Sequence, residues 1–158
     1  MKENLLVSAC LIGLACRYDG KEGKRTDIEA LSEKYNIIPV CPEIYGGLPT
    51  PRTPSERMGE RVLMKNGVDV TENYNRGAEC ALRLCREFSV KKALLKEKSP
   101  SCGSEKIYDG GFSGTLTDGD GVTTELLKKN GIAVFGESEI KKLLSLSENS
   151  IDKIIPHE

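Results

Sequence analysis

The chain has 158 residues, 23 basic side chains against 24 acidic ones, one histidine, six cysteines and no tryptophan. A net charge of −1 leaves no electrostatic footprint for general nucleic-acid or membrane binding, and no stretch approaches the ~18–20 apolar residues of a membrane span. This length suits one domain with a real core, here residues 1–147 followed by a polar tail, 148–158. The short apolar run near the N-terminus continues into a strand-end loop, unlike a signal peptide. That places the chain in the cytoplasm, where cysteines serve as reduced thiols or metal ligands.

Residues 4–9 are almost wholly apolar, as in a strand covered on both faces. Cys10 to Gly23 reads as a glycine-rich loop holding Cys16, Arg17, Tyr18 and Asp19. Thr26 or Asp27 can cap a helix through Ile28, Leu31 and Tyr35, which Asn36 ends. Ile37 to Val40 follows as a second strand, completing a strand–helix–strand unit. Residues 42–66, broken by Pro42, Gly46, Gly47, Pro49, Pro51 and Pro54, read as one long irregular excursion. The mixed charges Glu56, Arg57, Glu60 and Arg61 within it read as a solvated face, with Arg52 set apart.

Thr71 caps the longest expected helix, which runs to about Ser89 with Ala78, Ala81, Leu82, Cys85 and Phe88 as its apolar stripe. Cys80 and Cys85 are packing residues on this reading, since free cysteines behave as small hydrophobes. Lys92 to Leu95 is a third strand, and Lys96 to Gly103 breaks from it with a cysteine at the tip. A glycine-dense loop follows, from Ile107 to Gly121. Val122 to Asn130 is a helix with Gly131 as its C-cap. Ile132 to Phe135 is a last strand, and a final helix runs from about Ser138 through Leu146.

This alternation predicts an α/β fold: a single-domain, Rossmann-like parallel sheet with helices on both faces. In such sheets ligands bind outside the carboxyl ends of the strands. Cys10, Cys41 and Cys102 all fall at those ends, although 31 and 61 positions separate them in sequence. Three thiolates at one rim suit zinc or an iron–sulfur cluster. With three ligands a cubane keeps one iron without a protein ligand, able to act as a Lewis acid toward a soft atom such as sulfur. Cys16 is a possible fourth ligand, but its place within the loop favours three. The sole histidine, His157, lies in the tail, so histidine-based acid–base or nucleophilic chemistry is disfavoured. Proton transfer then falls to groups near the thiols: Glu43 and Ser101, with Asp19 and Asp109 as further loop carboxylates.

Several blocks carry a resemblance. Ser8-Ala9-Cys10-Leu11-Ile12-Gly13 with Cys16-Arg17-Tyr18-Asp19-Gly20 resembles the opening signature of the thiouracil desulfidase family. Val40-Cys41-Pro42-Glu43 and Gly46-Gly47-Leu48-Pro49-Thr50-Pro51-Arg52 are similar to its second block. Ser99-Pro100-Ser101-Cys102-Gly103 and Ile107-Tyr108-Asp109-Gly110 are similar to its third. The resemblance spans most of residues 5–137, without the additional C-terminal domain of some relatives. It implies a 4Fe–4S cluster on Cys10, Cys41 and Cys102, whose open iron takes the substrate sulfur. It also implies conversion of 2-thiouracil to uracil and sulfide without net redox change. Glu43 and Ser101 would transfer protons and orient the substrate, a small thiolated base or related thioamide. Two alternatives stand beside it: a non-catalytic cluster module closed by Cys16, and a zinc-dependent hydrolase.

Overall fold

The structure, a computed structural model, describes residues 2–21 and 27–146. Thr26, the 148–158 tail and His157 lie outside the described residues. In chain order, β1 (Glu3–Ser8) ends in a 3-10 turn, α1 (Ile28–Lys34) leads to β2 (Tyr35–Val40), and the one-turn α2 (Pro42–Tyr45) follows. A hairpin of β3 (Ser55–Met58) and β4 (Arg61–Met64) precedes the long α3 (Thr71–Glu87) and then β5 (Lys92–Leu95). The chain continues through β6 (Lys106–Tyr108), β7 (Leu116–Asp118), α4 (Val122–Lys129), β8 (Ala133–Gly136) and α5 (Ile140–Ser145).

The central sheet has the order β2-β1-β5-β8, and every pairing in it is parallel. Successive residues of a strand face opposite ways, so the run Leu5-Leu6-Val7 supplies both cores. Leu5 and Val7 pack with Ile28, Leu31, Ile140 and Leu143 from α1 and α5. Leu6 packs with Ala81, Leu82 and Leu127 from α3 and α4 on the other side. This is the expected α/β arrangement, and it explains why β1 shows no alternation: neither of its faces meets water. Each fully buried leucine contributes about 2 kcal/mol by the usual area scale. β2 tolerates Pro39 because it is an edge strand, where a missing N–H breaks no ladder bond. No helix among the described residues is long and apolar enough to cross a membrane.

The structure corrects several local expectations. Residues 42–66 are not one irregular excursion: they hold α2 and the β3–β4 hairpin. The glycine-dense loop carries the antiparallel ribbon β6–β7. Both ribbons are short and half exposed, so they lack the apolar alternation that would announce them. Tyr35 begins β2 instead of ending the preceding helix. Phe88, read as part of the α3 stripe, is 48% exposed beyond the helix end.

Asp69 fastens the start of α3 to the hairpin. Its Oδ1 accepts the Thr71 hydroxyl at 2.6 Å and the Thr71 N–H at 2.9 Å, and its Oδ2 meets Arg61 at 3.0 Å. The Thr71 hydroxyl first, then the Thr71 amide and Arg61, hold the carboxyl down from 3.8 to about 2. A depressed carboxylate stabilises the fold above its ordinary range and ceases to do so as pH falls through the folded value. Asp69→Ala is therefore expected to lower the melting temperature at neutral pH. Its deficit against the wild type should close as pH falls from about 4 toward 2 in thermal scans. A deficit unchanged at the acid end would show that the side chain acts by packing instead.

Candidate active site

The chain steps from β1 to β2 and then back past β1 to β5. That reversal opens a crevice at the carboxyl ends of the strands. A cavity of about 550 Å³ occupies it, lined by Cys10, Cys16, Cys41 and Cys102 together with Glu43, Arg52 and Tyr74. The three strand-end cysteines of the sequence thus share one cavity, and Cys16 shares it with them.

Each thiol is placed by a local device. Cys10 rides the 3-10 turn after β1, which Gly13 closes in the left-handed region at φ 103°. Cys41 caps α2, with Pro42 at the helix start, where a missing N–H costs nothing, and the Ile44 amide donates to its sulfur. Cys102 sits in a loop gripped from two sides. The Ser99 hydroxyl accepts the Ser101 and Cys102 amides at 3.1 and 3.0 Å. From α4, the Thr123 amide donates to the Ser101 carbonyl at 2.9 Å, and the Thr124 hydroxyl donates to the Cys102 carbonyl at 2.8 Å. Only glycine fits at 121, because a Cβ there would lie 2.4 Å from the Ser101 carbonyl oxygen.

Cys16 is buried and hydrogen-bonds through its thiol with both Cys10 and Cys41. Its place in a loop therefore does not hold it away from the strand ends. All the described cysteines are free thiols, and in the cavity Cys16, Cys41 and Cys102 are held toward their neutral forms. Burial pushes Cys102 up to about 12. The bond to Cys16, and then burial, push Cys41 upward, while Cys16 is raised chiefly by Cys10. A metal entering here must displace these protons.

The donor set is soft sulfur without histidine, which fits iron–sulfur or zinc chemistry. Among the described residues, no three His, Cys, Asp or Glu side chains are gathered closely enough to hold one metal ion. Ligands at separate corners of a cluster stand further apart than ligands closing on a single ion.

Glu43, on the first turn of α2, lines the cavity. Its Oε1 accepts the Tyr74 hydroxyl at 2.7 Å and Arg52 Nε at 3.1 Å. Ser101 is fully buried and does not line the cavity; its hydroxyl pairs with Thr123 Oγ1 at 2.9 Å and also bonds the Cys102 sulfur. Asp19 and Asp109 lie outside the lining. Each accepts an amide two residues on, Lys21 and Gly111, as turn residues do. Cys85 is in the core beneath α3 and Cys80 is half-buried on that helix.

Two residues escaped the sequence reading. Tyr74 lies one turn before Ala78 on the α3 stripe, so periodicity located its face but not what its hydroxyl meets. Glu56, read as part of a solvated face, lines the cavity and accepts the Gly110 and Phe112 amides at 3.0 and 3.1 Å. The neighbouring Arg57 reaches the Asp120 carbonyl at 2.7 Å and Glu125 at 2.9 Å. Glu56 and Arg57 thus bind the loop between β6 and β7 and the start of α4, while Arg61 is paired with Asp69.

Comparison with known proteins agrees with this geometry. Residues 5–139 match the family described as 2-thiouracil desulfurase. The YbbK protein of Bacillus subtilis (strain 168) is 40% identical over 150 residues, covering 89% of this chain and 99% of the relative. The solved structure of the 4Fe–4S-dependent thiouracil desulfidase TudS is 49% identical, with a TM-score of 0.85 over 90% of this chain and 95% of that one.

Proposed function

Since the chain belongs to the 2-thiouracil desulfurase family, we propose that its cavity converts 2-thiouracil to uracil and sulfide without net redox change. The observation that supports this most is the meeting of Cys10, Cys41, Cys102 and Glu43 in one cavity. On this reading Cys10, Cys41 and Cys102 hold a 4Fe–4S cluster through their thiolates. When bound, the cluster supplies an iron without a protein ligand, a Lewis acid suited to a thiocarbonyl sulfur.

The chain's own groups do the rest. Tyr108 and Phe112 line the cavity and offer aromatic faces to a flat heterocycle. Glu43 takes a proton from the water that attacks the thiocarbonyl carbon. One water adds, its oxygen stays on carbon as the new carbonyl, and the sulfur departs as hydrogen sulfide. Ser101 takes part through its hydroxyl at the Cys102 sulfur, steadying that ligand.

The test is anaerobic cluster reconstitution followed by assay of sulfide and uracil from 2-thiouracil. A brown protein releasing the two in equal amounts is expected. A colourless zinc protein with the same turnover would replace the cluster by a zinc hydrolase, and a brown protein inert toward thioamides would remove the desulfuration. The contact of Cys16 with Cys10 and Cys41 favours one second reading, a site closed by four thiolates. Cys16→Ala separates the two. A three-ligand cluster keeps its iron and turnover in this variant, whereas a four-thiolate site loses iron.

A further inference from the structure

The two oxygens of Glu43 are not equivalent. Oε1 accepts from both donors, the Tyr74 hydroxyl at 2.7 Å and Arg52 Nε at 3.1 Å. Oε2 has no partner among the described residues. From this we infer that Arg52 and Tyr74 are positioning residues that select Oε2 as the working oxygen of Glu43. The inference rests on the reading of Glu43 as the proton acceptor.

Three features make the selection firm. A carboxylate on a flexible stem turns easily about its last torsion, where the preference is broad and two-fold. A four-residue helix such as α2 adds little rigidity of its own. The donors must therefore supply the orientation, and both are anchored. The Arg52 side chain is only 2% exposed, and its other nitrogens donate to the Pro49 carbonyl, the Thr50 hydroxyl and the Cys16 carbonyl at 3.1, 3.1 and 2.9 Å. With its fork committed in this way, Arg52 cannot turn to grip both oxygens. Tyr74 is 1% exposed, and the Ser55 hydroxyl bonds its phenol oxygen, so the single phenol proton is directed at Glu43. An oxygen already accepting from two donors has both of its lone-pair directions occupied and offers none to a water or substrate proton. Oε2 keeps its lone pairs.

Arg52 also joins two of the segments that bear the site. Its amide donates to the Tyr18 carbonyl at 2.7 Å, its guanidinium reaches the Cys16 carbonyl, and Glu43 sits two residues past Cys41. The orientation of the carboxylate is thus set by the same side chain that holds the Cys16 loop against α2.

Tyr74→Phe removes one donor and keeps the ring in its core position. In reconstituted protein we expect kcat on 2-thiouracil to fall about tenfold, as for loss of one bond to a charged acceptor. KM and iron content should stay at wild-type values, whereas a merely structural role would lower iron content; a modest fall in melting temperature accompanies the lost buried bond in either case. A second background tests whether Tyr74 works through Glu43. In Glu43→Asp the carboxylate is one methylene too short for the phenol, so adding Tyr74→Phe should there cost less than about twofold. Should the full tenfold loss persist in that background, or iron content fall with kcat, the inference is overturned. Glu43→Gln with wild-type turnover would instead remove the proton-transfer reading itself.

Discussion

Cys10→Ala, Cys41→Ala and Cys102→Ala are each expected to abolish both iron retention and sulfide release, while Cys80→Ala retains both. The contrast is chemical. All four substitutions delete one sulfur atom, and none of these thiols is part of a disulfide. The first three line the cavity, whereas Cys80 lies half-buried on α3, away from it. Iron counted per chain after anaerobic reconstitution, together with the visible charge-transfer absorption, reports the loss without relying on turnover. Equal loss in Cys80→Ala would mean that the ligand set is misassigned. The protonation of the thiols adds a direction with pH. Cys102 is held up at about 12 by burial, so iron must compete with its proton and loading should become easier as pH rises. For the unloaded fold the sign reverses: a thiol raised from 9.0 to about 12 contributes stability below the lower value that is lost as pH climbs through the higher.

Gly77→Ala should disable the site from a position that does not line the cavity. A Cβ at Gly77 would lie 1.9 Å from the Pro42 carbonyl oxygen and 2.7 Å from its carbon. Gly46 meets α3 just as closely, since a Cβ there would lie 2.0 Å from the Asn73 carbonyl oxygen. Helices α2 and α3 therefore touch backbone to backbone, and the Asn73 side chain ties the Gly46 carbonyl at 2.9 Å. No side-chain rotation relieves a clash between two backbones. Ordinary contact begins at 3.4 Å, so α2 must retreat by about 1.5 Å. Overpacking of this kind costs about 1–3 kcal/mol, and the alanine recovers only about 1 kcal/mol of it through helix propensity. The functional penalty is larger. Pro42 lies between Cys41 and Glu43, so moving it moves a thiol and the carboxylate together. A displacement near 1 Å at reacting groups costs on the order of 100-fold in rate. We expect kcat to fall by about that factor while much of the folded population survives in circular dichroism. Wild-type turnover in Gly77→Ala would show that α2 tolerates displacement and that the close approach has no bearing on catalysis.

The sheet and the edge that carries the cavity were legible because they follow from order alone. Apolar runs of strand length alternate with helical stripes, the intervening helices carry the chain back so that the strands run parallel, and parallel strands all end on the same rim. Cys10, Cys41 and Cys102 each follow such a run, so their meeting could be read without coordinates. The ribbons β3–β4 and β6–β7 were not legible. Their ladders join half-exposed, mostly polar segments, and tertiary contacts hold them: Glu56 on the Gly110 and Phe112 amides of the β6–β7 loop, and Arg57 on Glu125 of α4.

The same division runs through the site. The amino-acid order by itself determined which three sulfurs face one crevice, because strand polarity is a property of chain direction. Only the tertiary structure decided that Cys16 touches two of them, that Tyr74 and Arg52 occupy one oxygen of Glu43, and that Ser101 is sealed against Thr123. Those contacts join residues from separate elements at distances of a few ångströms. They depend on how closely α2 approaches α3, and that approach is governed by the glycines at 46 and 77, which leave room for the backbones of Asn73 and Pro42 respectively.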